Sequence, residues 1–302
     1  MARLPEMRLH AENGALVARE GLSISFYLRH SQRDIAQAVA SSLKTYVRAV
    51  GSRTLTWYGT EDGDLHELDE PGWTFIWGQL RERTGLTVEL FDNPSGVSQY
   101  AFRYQGLFLE SEFLSHKPGA VSTVSFWLPP EYLDEHGPTG VRALALELAH
   151  PLPFNSGHAG FSLNTLLQLL GTSGRLRSWC LRHPGLDLSD TSGVSLELGN
   201  RVNGVHWLTF LGQPVLGELG GMAGLRERLR SPEITVRDMG RERALLTLGA
   251  APEAGDLEQG QPLPLHRELT RILEPWLHQR RTPWGGFSPE DMHRWERRFL
   301  DP

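Results

Sequence analysis

The chain has 302 residues, 39% of them hydrophobic and 22% charged, with 30 Lys and Arg against 36 Asp and Glu and a single cysteine. That length and apolar content support a sizeable core in one large domain or two smaller ones, and exclude a disordered or fibrous chain. No apolar run approaches the roughly 20 residues of a membrane helix, residues 1–20 show no secretory signal, and Cys180 alone makes neither an internal disulfide nor a cysteine-built zinc site.

Residues 1–20 read as an N-terminal extension of a protein expected in the cytoplasm. Along LSISFYL (22–28), Leu22, Ile24, Phe26 and Leu28 alternate as in a half-buried strand. Ser31 and Asp34 then have capping-box spacing, Ile35, Val39, Leu43, Tyr46 and Val50 recur at helical intervals, and Gly51 ends the run. Strands follow at 54–58, 86–91 and 100–110, the last two joined as a hairpin across Asp92–Gly96. VSTVSFWL (121–128) repeats the first strand's alternation. After Pro129, Pro130 and a short polar turn, a helix is expected near 139–149. The match of Ile24–Leu28 with Val124–Leu128 suggests two related strand–helix units.

In the second half the pattern predicts a helix near 161–171, a turn at Gly171–Gly174, a strand at 205–212 and a helix after Gly220 and Gly221. ITVRDMG (234–240) and ALLTLG (244–249) read as a hairpin. A helix at 265–278 is interrupted by Pro275, and a last one starts at Ser288 and Pro289 and buries Met292, Trp295 and Phe299. Hairpins mixed with helices indicate an α+β fold, mostly antiparallel sheet with packed helices. Residues 21–302 form one expected domain, with halves at 21–150 and 151–302.

The residues offer little chemistry. Ser156 lacks the Gly-x-Ser-x-Gly elbow. None of the twelve histidines has HExxH spacing. His183 and Asp187 flank Pro184-Gly185, a spacing that could place an imidazole near a carboxylate but more simply makes a turn. No phosphate loop is present, and two lysines are too few for a clustered nuclease centre. No cofactor or metal is called for. One segment stands out: EDGDLHELDE (61–70) holds Glu61, Asp62, Asp64, Glu67, Asp69 and Glu70 without a basic residue, equal to the whole-chain excess of −6. It runs into Trp73, Phe75 and Trp77. Carboxylates beside aromatics have the composition of a protein-binding surface with an electrostatic rim. In the competing reading, the three aromatics alternate into the core as a strand and the acidic run is a solvated loop.

The ordered motifs LSISFYL, VSFWLPPEYL, LELAHPLPFNSGHAGFS, LRHPGLD, LGNRVNGVHWLTFLG, LGG, LGAAPEAGD and LHRELTRILEP resemble the bacterial type VI secretion immunity family, once filed as a domain of unknown function. The similarity runs from about residue 20 to 278, and its most specific pieces are Leu152–Gly160 and Trp207–Gly212. The resemblance implies a non-enzymatic protein that binds and neutralises a cognate effector toxin, for several members one like a restriction-endonuclease-type nuclease. It offers no catalytic residues. A nuclease presents a basic groove to phosphates, so the expected contact surface is Glu61, Asp62, Asp64, Glu67, Asp69, Glu70 and Trp73. These carboxylates would imitate the DNA backbone; direct nucleic-acid or membrane binding is not expected. Two rival readings stay open: a hydrolase using His158 or His183, and a structural protein of the secretion apparatus.

Overall fold

Two side-chain periodicities, two along strands and 3.6 along helices, resolve here into one sheet with a helical layer. The computed structural model describes residues 6–60, 62–94, 97–165, 173–188, 190–284 and 286–301. The first half of the chain forms β1 (Leu9–His10), β2 (Leu16–Leu28), α1 (Gln32–Val50), β3 (Trp57–Gly59), β4 (Leu65–Glu67), α2 (Glu70–Glu82), β5 (Leu86–Phe91), β6 (Ala101–Gly106), α3 (Glu112–Ser115), β7 (Ser122–Leu128) and α4 (Pro130–Ala149). The second forms β8 (Ser156–Thr165), α5 (Ser173–Arg182), β9 (Asp187–Leu188), α6 (Thr191–Val194), β10 (Leu208–Leu211), α7 (Val215–Glu218), α8 (Gly221–Arg228), β11 (Ile234–Asp238), β12 (Ala244–Leu248), α9 (Pro264–Leu273), a 3-10 turn (Glu274–Trp276) and α10 (Pro289–Glu296).

Among the described residues the strands make one twelve-stranded sheet in the order β11-β12-β10-β8-β2-β7-β6-β5-β3-β4, with β1 added to β2 and β9 to β8. Every pairing is antiparallel except β8 with β9. The fold is therefore α+β, and mostly antiparallel.

β2 lies at the centre between β7 and β8, and its residues Val17–Leu28 are all buried. Leu22, Ile24, Phe26 and Leu28 join Ile35, Val39 and Leu43 of α1 in the main core. Each such side chain contributes roughly 1.5–3 kcal/mol by leaving water. α1 packs on α4 and α2, so these helices cover one face. The two strand–helix pairs, β2–α1 and β7–α4, thus sit side by side, strand on strand and helix on helix. The alternate residues of β2 point the other way, and Gly21, Ser23 and Ser25 make the middle of that face small and polar: Ser25 Oγ meets Ser125 Oγ at 2.9 Å. Close approach is built in beside it. A Cβ on Gly157 would sit 2.8 Å from the Ser25 carbonyl, so that position tolerates no side chain without backbone movement.

Several expectations change. The helix expected near 161–171 is wrong over 161–165, where the chain is strand β8 and the rest lies outside the described residues. Ala159, Phe161 and Leu163 alternate into the core, while β2 and β10 take up the backbone bonds on both sides. Ser31 precedes α1 but makes no capping bond, so the expected capping box is absent. Its hydroxyl instead donates to the Glu110 carboxylate and accepts from the Leu109 N–H. The polar turn after Pro130 is helical, broken only where Gly137 takes φ 65° ahead of Pro138. Pro275 does end its helix, in the 3-10 turn, and Ser288 forms a full capping box with Asp291.

Candidate functional site

The acidic run occupies one extreme edge of the sheet. β3 and β4 form a short hairpin, and β4 is the terminal strand. Asp69 then starts α2: its carboxylate accepts the Gly72 N–H at 2.8 Å, and Pro71 stands in the first turn. Those two signals begin a helix, so Trp73, Phe75 and Trp77 are helical and the reading of them as an alternating strand is corrected. Trp73 and Trp77, four residues apart, stack at 5.4 Å, and Lys44 Nζ lies 5.4 Å from the Trp77 ring. Both indoles are half-buried against the core. Phe75 points outward, 44% exposed, against Tyr58, which stacks on His66. Leu65 is 42% exposed, and Leu68 anchors the hairpin as a buried residue.

Asp62, Asp64, Glu67, Asp69 and Glu70 are all exposed. None of the five has an ion-pair partner among the described residues. Glu61 lies outside the described residues. The structure thus gathers five unneutralised carboxylates with Leu65 and Phe75, and places Trp73 beside them rather than at the tip.

A second cluster is buried. His158 on β8, Asp187 on β9 and His206 ahead of β10 bring their ring and carboxylate atoms within 4.8 Å of one another. His158 Nε2 is 3.1 Å from Asp187 Oδ2, and His206 Nε2 is 3.1 Å from the Asn203 carbonyl. Two histidines and a carboxylate are a ligand set that zinc accepts. Here, however, the imidazoles lie face to face, 4.1 Å between centres and 21° between planes, so their in-plane lone pairs run side by side instead of converging. Burial alone would raise the Asp187 carboxyl, but His206, His158 and Arg298 outweigh it and hold it at about 2. Burial and the adjacent His158 push His206 well below the usual imidazole range, so His206 is neutral at pH 7.

His183 and Asp187 stand at either end of the Pro184-Gly185 turn. In the structure Asp187 goes to His158, while His183 Nδ1 lies 2.7 Å from the Gly255 carbonyl. Ser156 is buried, and its hydroxyl donates to the Arg201 carbonyl at 3.1 Å. Cys180 is buried, with its thiol pushed up to about 12 by burial.

Sequence reasoning missed a cleft. Loops from four parts of the chain, around Pro118, Glu197, Pro214 and Pro275, enclose adjoining cavities of about 330, 440 and 360 Å³ that share Glu197 and Arg281. Its walls include Pro118, Pro214, Pro275 and Trp276, whose indole N–H donates to the Glu218 carboxylate. His278, 3.2 Å from Glu197, closes one end. The ionisable groups that line these cavities are His116, Lys117, Glu197, Arg201, Glu218, Glu274, His278 and Arg281. The cleft residues come from segments up to about 160 positions apart, which is why no local motif announces it.

A family model described as type VI immunity for VRR-NUC, TsiV, matches residues 38–299. A solved structure, the Pseudomonas aeruginosa T6SS protein PA0821, superposes with a TM-score of 0.81 at 18% identity, over 98% of this chain and 88% of that one. At that identity the likeness establishes a common fold. No curated protein matches the chain at a significant level.

Proposed function

The chain belongs to the TsiV family of type VI immunity proteins for VRR-NUC, and we propose that it neutralises its nuclease effector by laying the β3–β4–α2 corner over the toxin's DNA-binding groove. The observation that carries this reading is the set of five exposed carboxylates, Asp62, Asp64, Glu67, Asp69 and Glu70, none with an ion-pair partner among the described residues. Unpaired surface charge of one sign raises the encounter rate with an oppositely charged partner. A nuclease groove must be basic to hold phosphates. The carboxylates take the place of the DNA backbone there, and Leu65, Phe75 and the edge of Trp73 supply apolar contact once the groove is engaged. The protein acts as a stoichiometric inhibitor in the cytoplasm and has no use for nucleic acid of its own. No helix among the described residues is long and apolar enough to cross a membrane.

The test is stopped-flow association with a purified VRR-NUC domain at several salt concentrations. Asp62→Asn, Asp64→Asn, Glu67→Gln and Glu70→Gln combined, with the capping Asp69 left in place, should slow association at least about 10-fold at low salt and flatten its salt dependence. Association at the native rate with the native salt slope overturns the assignment of this corner.

A further inference from the structure

The acidic corner is also the open end of a sheet. β4 is bonded on one side, by β3, and no described strand covers its other side. The register shows which backbone groups face outward. Leu68 N–H donates to the Thr56 carbonyl at 2.7 Å and Thr60 N–H to the Asp64 carbonyl at 2.9 Å. Opposite residues of an antiparallel pair alternate between bonded and non-bonded. The bonded pair between those two bonds is Tyr58 with His66, which leaves Leu65 and Glu67 as the non-bonded positions. Leu65 therefore turns its N–H and C=O away from β3, and Glu67 turns its N–H the same way. The Glu67 carbonyl lies close to Gly72 of α2.

The side chains along this edge alternate as well. His66 stacks on Tyr58, which in turn packs against Phe75 of α2, and Asp64 shares the His66 side by its spacing. Leu65 and Glu67 project from the opposite face. An exposed edge carrying an apolar residue such as Leu65 is a template for another strand, and proteins commonly guard such edges with charge. Here every guard is negative. A second copy of this chain, pairing through the same edge, would set Asp64 and Glu67 against like charges, which is destabilising. A strand carrying arginine or lysine meets them favourably.

We propose that the partner docks by strand addition: an extended, basic segment of the VRR-NUC toxin pairs with β4 through Leu65 and Glu67, and its cations lie opposite Asp64 and Glu67. This deepens the functional reading above and rests on it. Electrostatic steering then brings the toxin to the edge, and backbone hydrogen bonds there slow its departure, since affinity in related complexes is set mainly by dissociation.

Residue-resolved amide hydrogen exchange on the intact protein, free and bound to a VRR-NUC domain, tests it. The Leu65 and Glu67 amides should exchange as unprotected groups in the free protein and slow at least about 10-fold in the complex, while His66 is protected in both states. A pair of variants supplies a second readout: Leu65→Pro, which deletes an outward N–H, should speed dissociation at least about 10-fold more than Leu65→Ala. If carboxylate neutralisation slows association but the Leu65 and Glu67 amides stay fast in the complex, strand addition is wrong and the electrostatic reading stands. If neutralisation changes nothing and the segment gains no protection, both fall together. Should Leu65→Pro disrupt the hairpin, seen as loss of His66 protection in the free protein, the exchange comparison on the native chain decides alone.

Discussion

His266 sits in the first half of α9, buried and tilted onto Phe299 at 5.2 Å. Burial, reinforced by Arg298, lowers its pKa to about 3. An unfolded imidazole titrates near 6.5, so between those values the unfolded chain holds a proton that the folded chain does not. Stability is therefore complete above about pH 6.5 and falls as pH drops toward 3, by up to about 1.4 kcal/mol per pH unit for such a group. His206, lowered for the same reason, adds to the fall. Asp187 acts later: its folded value of about 2 lies below the ordinary 3.8, so its contribution is present above 3.8 and is lost between 3.8 and 2. The drop in Tm from pH 7 to pH 4.5 should accordingly be smaller in His266→Leu than in the native protein. Equal drops would mean that His266 is not held neutral. None of this was legible at the residue level, because a histidine's neighbours along the chain do not reveal what will bury it. His183 lies four residues from Asp187, yet the imidazole that Asp187 meets is His158, 29 positions away.

At the scale of elements, local signals worked where they lay within one turn. Ser288 and Pro289 predicted α10, Pro275 predicted the break after α9, and both hairpins, β5–β6 and β11–β12, formed as their patterns required. α2 shows why a neighbouring case failed. Trp73, Phe75 and Trp77 have strand spacing, yet the cap at Asp69 and Pro71 starts a helix whose buried residues are Gly72, Ile76 and Leu80. The same carboxylate thus has two duties, a cap and a surface charge, and substitution separates them. Asp69→Asn keeps an acceptor for the Gly72 N–H and should leave urea-unfolding stability within about 0.5 kcal/mol, whereas Asp69→Ala should cost about 1 kcal/mol. Equal losses in both would assign the residue's effect to charge rather than to capping.

Over the whole molecule, the two halves divided at residue 150 meet along the longest ladder in the sheet. β8 pairs with β2 from Ala18 opposite Thr165 to Tyr27 opposite Ser156. Removing either half would bare a long central strand edge and part of the core, a state prone to aggregate. The halves are therefore proposed to be one cooperative unit: denaturation followed by tryptophan fluorescence and by far-ultraviolet circular dichroism should give coincident transitions. Two separated transitions would mark the halves as independent.

The chain's own order of residues determined its α+β class, the helices α1, α4, α8, α9 and α10, the hairpins β5–β6 and β11–β12, the immunity family, and the acidic run at 61–70. Each of these is written in composition, in an ordered set of motifs, or in periodicities and caps that span a few residues. Tertiary structure alone decided that 156–165 is a strand, that His158 meets Asp187, that a cleft opens around Glu197 and Arg281, and that β4 is the end of a sheet. Those features depend on hydrogen-bonding partners and burial supplied from far along the chain, as Ser25 is bonded to Ser125, and no local pattern encodes which distant segment will arrive.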